Sequence, residues 1–267
     1  MKILDKITVI FFTVCLLVCS ITLPAIIMGT TESFYVSQFK ECNIYPNTSQ
    51  VLSVNYIGGK TYQTADFTQS QINEIIKHIS SFLLGEKDSF SLKLDKVTLN
   101  GQKHNNVEIF GEEAVSHMED VKKLFDTVRI VTSVFVVIIV LCIIWMIYRK
   151  KDIKQHIFKY SLLTVVGILI SVILFIAFVF FRTLHIYNTF SADNFINELW
   201  TCMHYIFFPA DPSKFSGSFF NDTLTSILTI DFFMNCVKII VINVIAILFA
   251  WIMSGYFIDR KRKQKKL

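Results

Sequence analysis

Four long stretches of this chain carry no charged side chain, and they fix most of what it can become. Ile7 to Met28 spans 22 residues, Ile130 to Tyr148 spans 19, Ser161 to Phe181 spans 21 and Ile239 to Ile258 spans 20. A hydrocarbon core about 30 Å thick is crossed by about 20 apolar residues in a helix rising 1.5 Å per residue. Lipid offers no partner to a backbone amide, so each run is expected as a membrane helix that satisfies its own hydrogen bonds. The rest of the 267 residues agrees: 53% are hydrophobic, 26 are Phe and only 18% are charged. That is too little charge to cover the surface of a soluble domain, and too much apolar matter for a disordered chain. The net charge of +5 comes from basic residues at the chain ends and in short loops, so no nucleic-acid partner is expected. With 9 Gly and 4 Pro, no glycine-rich phosphate cradle is signalled.

Lys and Arg counting orients the spans. With a cytoplasmic N-terminus, the inner segments hold 13 basic residues against the acids Asp5, Asp152 and Asp259; the much longer outer segments hold 13 basic residues and 18 acids. The fold expected is therefore membrane α-helical, with four transmembrane helices and a small extracellular α+β domain between the first and second. Residues 1–6 form a cytoplasmic N-terminus, 7–28 the first span, 29–129 the α+β domain ending in a helix that leads into the second span, and 130–148 that span. A basic cytoplasmic loop, 149–160, precedes the third span, 161–181. An extracellular aromatic-rich loop with an interfacial helix occupies 182–238, the fourth span 239–258, and a basic cytoplasmic tail 259–267. The first run is too long for the h-region of a cleaved signal peptide, so it is expected to stay as a membrane helix.

Within 29–129, Val51 to Tyr56 alternates as a strand does, and so do Phe90, Leu92 and Leu94, with Val107 and Ile109 suggesting another. Ile72, Ile75, Ile76, Ile79, Phe82 and Leu83 fall on one face of a helix over 71–84, with Gly85 as its stop. The six cysteines show no CxxC spacing, so neither zinc nor a redox motif is signalled. Cys42 and Cys202 lie outside the spans, either bridged or as two free thiols. Asn47 and Asn221 begin glycosylation-type triplets, which recur by chance.

Two outward-facing histidine neighbourhoods carry the chemical interest. In the first, Glu113, His117, Asp120 and Val121 share one helical face at i, i+4, i+7 and i+8. A carboxylate so placed can orient an imidazole; the alternative is a solvated helix with ordinary pairs such as Glu119–Lys123. In the second, Ser191 or Asp193 caps a helix through Phe195, Leu199, Trp200 and Met203, with His204 near its end. The alternative there is an amphipathic interfacial helix with an incidental histidine. His78 is expected to be structural, His104 to sit in a polar loop, His156 on the cytoplasmic side and His185 at the interface.

At these residues the chain resembles the lipoprotein intramolecular transacylases (Lit) of Gram-positive bacteria. The resemblance rests on four spans, an outward β-containing domain after the first, His117-Met118-Glu119-Asp120-Val121-Lys122 opening the second, and His204-Tyr205-Ile206-Phe207-Phe208 after the third. Asp222 to Phe233 is similar to the family's closing acidic, aliphatic and Phe-Phe stretch. Met203 stands where the family has Phe before the second histidine, Phe215 roughly where it has Trp, and Thr229 where it has Pro. The resemblance implies an O-to-N acyltransferase of the bacterial cell membrane. It would move the sn-2 acyl chain of a diacylglyceryl lipoprotein onto the α-amino group of that lipoprotein's own N-terminal cysteine, leaving the lyso form.

Both reacting groups belong to one substrate molecule, so no cofactor and no metal are expected, and proximity supplies much of the rate. The chemistry needs a proton removed from the α-ammonium and one given to the departing glyceryl oxygen, which suits two imidazoles. His117 and His204 are the expected catalytic pair, with Glu113, Asp120 and Asp222 supporting, and the lipoprotein and membrane lipids as partners. The base and acid roles stay open between the two, as does the oligomeric state. From His117 to Arg149 a straight helix would rise about 48 Å, more than the roughly 40–45 Å of bilayer with headgroups, so either the helix tilts or breaks near Arg129, or the ectodomain lifts the substrate into an outward cavity. Two other classes remain open on the residues alone: a non-enzymatic sensor or complex subunit with a ligand-binding ectodomain, and a lipid hydrolase or intermolecular acyltransferase.

Overall fold

A computed structural model describes residues 2–207 and 222–264. Of the residues singled out above, Phe208, Phe215 and Asn221 lie outside the described residues, as do 265–267 of the basic tail. Each apolar run sits inside a longer helix: α1 (Lys2–Thr30), α4 (Glu112–Tyr148), α5 (Lys150–Tyr187) and α8 (Ile230–Gln264). All four are long and apolar enough to cross a membrane. The segment 149–160, expected as a loop, is not one. Arg149 alone separates α4 from α5, because residues 150–160 contain no Gly or Pro and are rich in Lys, which extends a helix readily. Of the alternatives for α4, a break near Arg129 is excluded: the helix runs unbroken for 37 residues.

The chain divides into two compact units, Met1–Leu23 with Ile130–Pro209 and Ile240–Leu267, and Pro24–Arg129 with Ala210–Ile239. In the first, α1 is the hub. In its most apolar window 28% of residues are buried, against 11%, 6% and 6% for α4, α5 and α8. Polar side chains tie it to each of the others. Thr132 Oγ1 of α4 donates to Thr22 Oγ1 at 2.8 Å, Thr13 Oγ1 donates to Ser161 Oγ of α5 at 3.3 Å, and Asn243 Nδ2 of α8 donates to the Ser20 carbonyl at 2.7 Å. At the charged end Asp5, fully buried, accepts from Trp145 Nε1 at 3.3 Å and pairs with Arg149 at 3.3 Å. Lipid gives helices no hydrophobic reason to associate, so such hydrogen bonds and close packing hold them. A helix (α6, Ala192–Phe207) completes this unit. Its N-terminus is capped by Ser191, whose Oγ accepts from Asn194 N at 3.1 Å. Ser191 therefore takes the role that the sequence left open between it and Asp193.

The second unit holds α2 (Glu32–Glu41), β1 (Leu52–Ile57), β2 (Lys60–Phe67), α3 (Gln69–Leu84), β3 (Lys93–Leu94), β4 (Val97–Leu99), β5 (Gln102–His104), β6 (Val107–Glu108) and α7 (Thr223–Ile227). One antiparallel sheet has the order β1-β2-β4-β5; β3 and β6 form a second pair. Two hairpins close on Gly58-Gly59 and Asn100-Gly101, all four residues at positive φ, the backbone that a two-residue type I′ turn requires. The strand expected through Phe90, Leu92 and Leu94 shrinks to Lys93–Leu94 because the Phe90 carbonyl accepts from His78 Nε2 at 2.9 Å instead of from a strand partner. α3 starts in a full capping box between Thr68 and Gln71 and stops at Gly85, φ 86°. Arg129 of α4 donates to the last carbonyls of α3, Leu83 at 2.6 Å and Leu84 at 3.3 Å, a cation placed where the helix dipole favours one.

The unit's core reaches beyond 29–129. Leu224, Ile227 and Phe232, from the segment expected to be an outer loop, are buried in it with Tyr35, Phe39, Ile72, Phe82 and Phe110. Thr229, at the position where the family pattern has Pro, caps α8 by accepting from Phe232 N at 3.4 Å. Cys42, in this unit, and Cys202, in the first, are free thiols.

Candidate active site

His117 lies on the second turn of α4 and is buried, 8% exposed, with Ala114 and Met118 of the same helix in the core. Glu113 is exposed one turn before it. Asp120 receives Lys123 Nζ at 2.9 Å, a charge pair of the kind that the solvated-helix alternative illustrated with Glu119–Lys123. An open cleft of about 270 Å³ lies against another face of α4, lined by Glu112, Val115, Ser116 and Glu119 of the helix and by Ser91, Glu108 and Phe110. At 100° per residue, Glu112 and His117 are about 140° apart around the axis, and His117 does not line the cleft.

The start of α4 is fixed by neighbours far away in sequence. Asp222 is buried and divides its carboxylate between two donors: Gly111 N gives a hydrogen bond to Oδ2 at 3.0 Å, and Leu224 N gives one to Oδ1 at 2.9 Å, capping α7. Thr223 Oγ1 donates to the Tyr56 carbonyl at 3.0 Å, and Gly58 N to the Ile109 carbonyl at 3.0 Å. Burial pushes the Asp222 carboxyl above the ordinary range, the Leu224 and Gly111 amides pull it back, and the negative charge of Glu113 raises it again. Asp222 is therefore brought to the helix that carries Glu113 and His117. Sequence reading gave it a supporting role but not this contact. It also passed over Gly111, whose only signal was a glycine just before the first helical turn.

A Cβ built on Gly111 would lie 2.9 Å from both Cα and N of Gly59 and 3.0 Å from Asp222 Oδ2. Backbone cannot yield as a flexible side chain does, so Gly111→Ala is expected to destabilise the protein by about 1–3 kcal/mol, the usual cost of overpacking. Thermal unfolding in detergent micelles measures this; an unchanged midpoint would mean that the Gly59–Gly111 approach is not tight.

His204 lies on the last turn of α6, half-buried. Its Nδ1 is 2.8 Å from the Trp200 carbonyl oxygen, and the two rings pack with centroids 4.4 Å apart. A carbonyl can only accept, so Nδ1 carries the hydrogen and, in the neutral ring, Nε2 keeps its lone pair. Burial lowers its pKa from 6.5, against the Trp200 carbonyl, which raises it. His78 is held differently. Nε2 donates to Phe90, Nδ1 accepts from Lys87 Nζ at 2.9 Å, and burial keeps the ring neutral. Both its nitrogens are occupied, as suits a structural histidine. His204 stands in the first unit; His117, Glu113, Asp120 and Asp222 stand in the second. Among the described residues, no group of three or more His, Cys, Asp and Glu is placed to hold a metal ion.

A multi-pass helical membrane protein, with two partly buried histidines outside its apolar runs and a buried carboxylate at the helix of one of them, is the class that these features define. The family model for lipoprotein intramolecular transacylase Lit matches residues 6–233. The chain belongs to the lipoprotein intramolecular transacylase (Lit) family, whose members are O-to-N acyltransferases. Among solved structures, it is similar to the membrane-integral Lit of Bacillus cereus, at 15% identity over 99% of this chain and 100% of that one, with a TM-score of 0.61. Two variant structures of the same protein also match, each with a TM-score of 0.59. One carries a histidine-to-arginine substitution (15% identity, 99% of this chain and 95% of that one), the other a histidine-to-alanine substitution (14%, 98% and 96%). At this identity the likeness is one of fold. A search of curated proteins finds no match.

Proposed function

We propose that this protein transfers the sn-2 acyl chain of a diacylglyceryl lipoprotein to the α-amino group of its N-terminal cysteine, by histidine acid–base catalysis at the outer membrane–water interface. The family match over residues 6–233 carries this reading. The charge asymmetry supports a topology with both termini in the cytoplasm and 29–129 and 182–238 on the outer face.

His204 is the base. Its Nε2 lone pair takes a proton from the α-ammonium, whose pKa near 8 is close enough to that of imidazole for transfer. His204 passes that proton to solvent, the freed nitrogen attacks the ester carbonyl, and the attacking nitrogen gives its surplus proton to His204 as the tetrahedral oxyanion collapses and the C–O bond to glycerol breaks. His117, entering as the imidazolium, gives the departing glyceryl oxygen its proton, with Glu113 or Asp120 orienting the ring; exchange with solvent resets both rings, and one proton per turnover is released. Asp222 is a positioning residue, because it holds the Gly111 amide at the root of α4. The balance is an ester exchanged for an amide within one molecule, so neither an acyl donor nor a cofactor enters.

A crossover experiment tests the reading. Two lipopeptides, one with a deuterated sn-2 chain and the other with a heavy-isotope peptide, are incubated together with the protein. Each product is expected to keep its own chain on its own peptide. Scrambled products would show intermolecular transfer, and free fatty acid would show a hydrolase.

The pH dependence follows from His204. Burial holds its pKa below 6.5 in the folded protein, so the base stays unprotonated at pH 7. The rate is expected to fall on acidification with a midpoint below 6.5. Between that lowered pKa and 6.5 the unfolded chain binds more protons at this site than the folded one. Its contribution to stability therefore rises with pH through the window, levels off above 6.5 and is lost on acidification. Initial rates from pH 5 to 8 check this; an acid limb centred above 6.5 would contradict it.

A further inference from the structure

We infer that Arg182 and Glu198 are a positioning pair for His204, setting the rotation of α6 about its own axis and so where the imidazole is aimed. The inference rests on the reading of His204 as a catalytic group. Arg182 lies near the end of α5, and its Nε donates to Glu198 Oε2 on α6 at 2.7 Å. The Glu198 side chain is 7% exposed and that of Arg182 39%. A carboxylate this buried needs its cation: a broken buried pair leaves an uncompensated charge, while the intact one fixes geometry.

The helical spacing gives this pair its consequence. Cys202 follows Glu198 by four residues, about 40° further round, and is buried on the same face. His204 follows Glu198 by six residues and sits about 120° from it. Trp200 and His204 share a face at i, i+4, joined by the Nδ1–H to carbonyl bond and by ring packing. The helix thus has a pinned face bearing Glu198 and Cys202 and a separate face presenting the imidazole. Its side-chain envelope is about 5–6 Å in radius, so a roll of about 10° displaces the ring by about 1 Å. A misplacement of that size costs on the order of 10²-fold in rate. Neither Arg182 nor Glu198 is given any step in the acyl transfer.

Glu198→Gln, Arg182→Gln and the double variant are compared with wild type in three readouts: kcat and KM on a diacylglyceryl lipopeptide, thermal midpoint, and the rate at which diethyl pyrocarbonate modifies His204, read by peptide mass spectrometry. His104, exposed in its hairpin, serves as the internal control. The expected result is a 10–100-fold fall in kcat with KM within about threefold, consistent with the cost of misplacement. The double variant is expected to be no worse than the poorer single one. The rate of His204 modification is expected to change at least about threefold while that of His104 does not, because lost pairing alters how the ring is presented. Unchanged modification of His204 overturns the inference whatever the rates do, and so do losses that multiply in the double variant. Should Arg182→Gln not fold, Arg182→Lys, which keeps the charge and loses the planar fork, is judged by the same criteria. A wild type without transacylation removes the proposed activity but not this test, because the labelling comparison then decides alone.

Discussion

Replacing His204 by Ala is expected to lower the transacylation rate by about 10²–10⁴-fold, the range that a positioned acid or base supplies. His117→Ala is expected to fall in the same range. The effect belongs in kcat, because proton transfer stabilises the transition state and not the bound substrate. The double variant should lose little more than the poorer single one, since two groups serving one proton circuit act as a unit. Initial rates on a synthetic diacylglyceryl lipopeptide in mixed micelles, with thermal midpoints as a folding control, measure all three. A folded single variant that retains a third or more of the wild-type rate would remove that histidine from the mechanism. His78→Gln is the contrasting case. Its two ring contacts are structural, so it should move the unfolding midpoint and leave kcat near that of wild type.

Phe232→Ala is expected to cost about 3–5 kcal/mol, as a large buried aromatic does when truncated. Phe232 is 5% exposed and lies face to face with Tyr35, with centroids 5.6 Å apart and planes at 13°. Its edge contacts reach Phe39 at 5.8 Å and Phe34 at 6.2 Å. These contacts bind the beginning of α8 to α2, so the loss would loosen the segment that begins at Asp222. The hydrogen bond from Gly111 to Asp222 would weaken with it, and the rate should fall as the root of α4 becomes less fixed. Denaturant unfolding with a near-ultraviolet aromatic signal reads the first effect and initial rates the second. A cost under about 1 kcal/mol, well short of truncation in a packed core, would mean that residues 222–239 do not belong to that core.

Membrane helices were legible in the sequence because lipid imposes one strong rule, and four uncharged runs of about 20 residues satisfy it. α3 was legible for a local reason, its apolar face and the stop at Gly85. What local patterning did not show was set by distant partners. Phe90 and Leu92 alternate as a strand would, yet the Phe90 carbonyl is taken by His78 from another element. Glycine spacing at 58–59 and 100–101 held the hairpin signal, but the short strands beside it alternate weakly. The start of α5 was misjudged because charge at 149–160 was read as loop, whereas residues such as Lys extend a helix readily.

The candidate site divides along the same line. His117 and His204 stood out by residue type and placement. Asp222 stood out only as an acid in a family stretch, and its bond to Gly111 joins residues 111 positions apart. No periodicity carries such a contact. The protonation pattern of His204 was also beyond sequence, because it depends on the Trp200 carbonyl lying 2.8 Å from Nδ1.

The most direct measurement is the N-terminal lipopeptide of a diacylated lipoprotein, co-expressed with this protein in a host lacking other N-acylating activity and read by tandem mass spectrometry. Transacylation within one molecule predicts a product of unchanged total mass, with an N-acyl cysteine and a single acyl chain left on glycerol. Recovery of only the diacylglyceryl form with a free α-amino group, from cells containing folded wild-type protein, would contradict it.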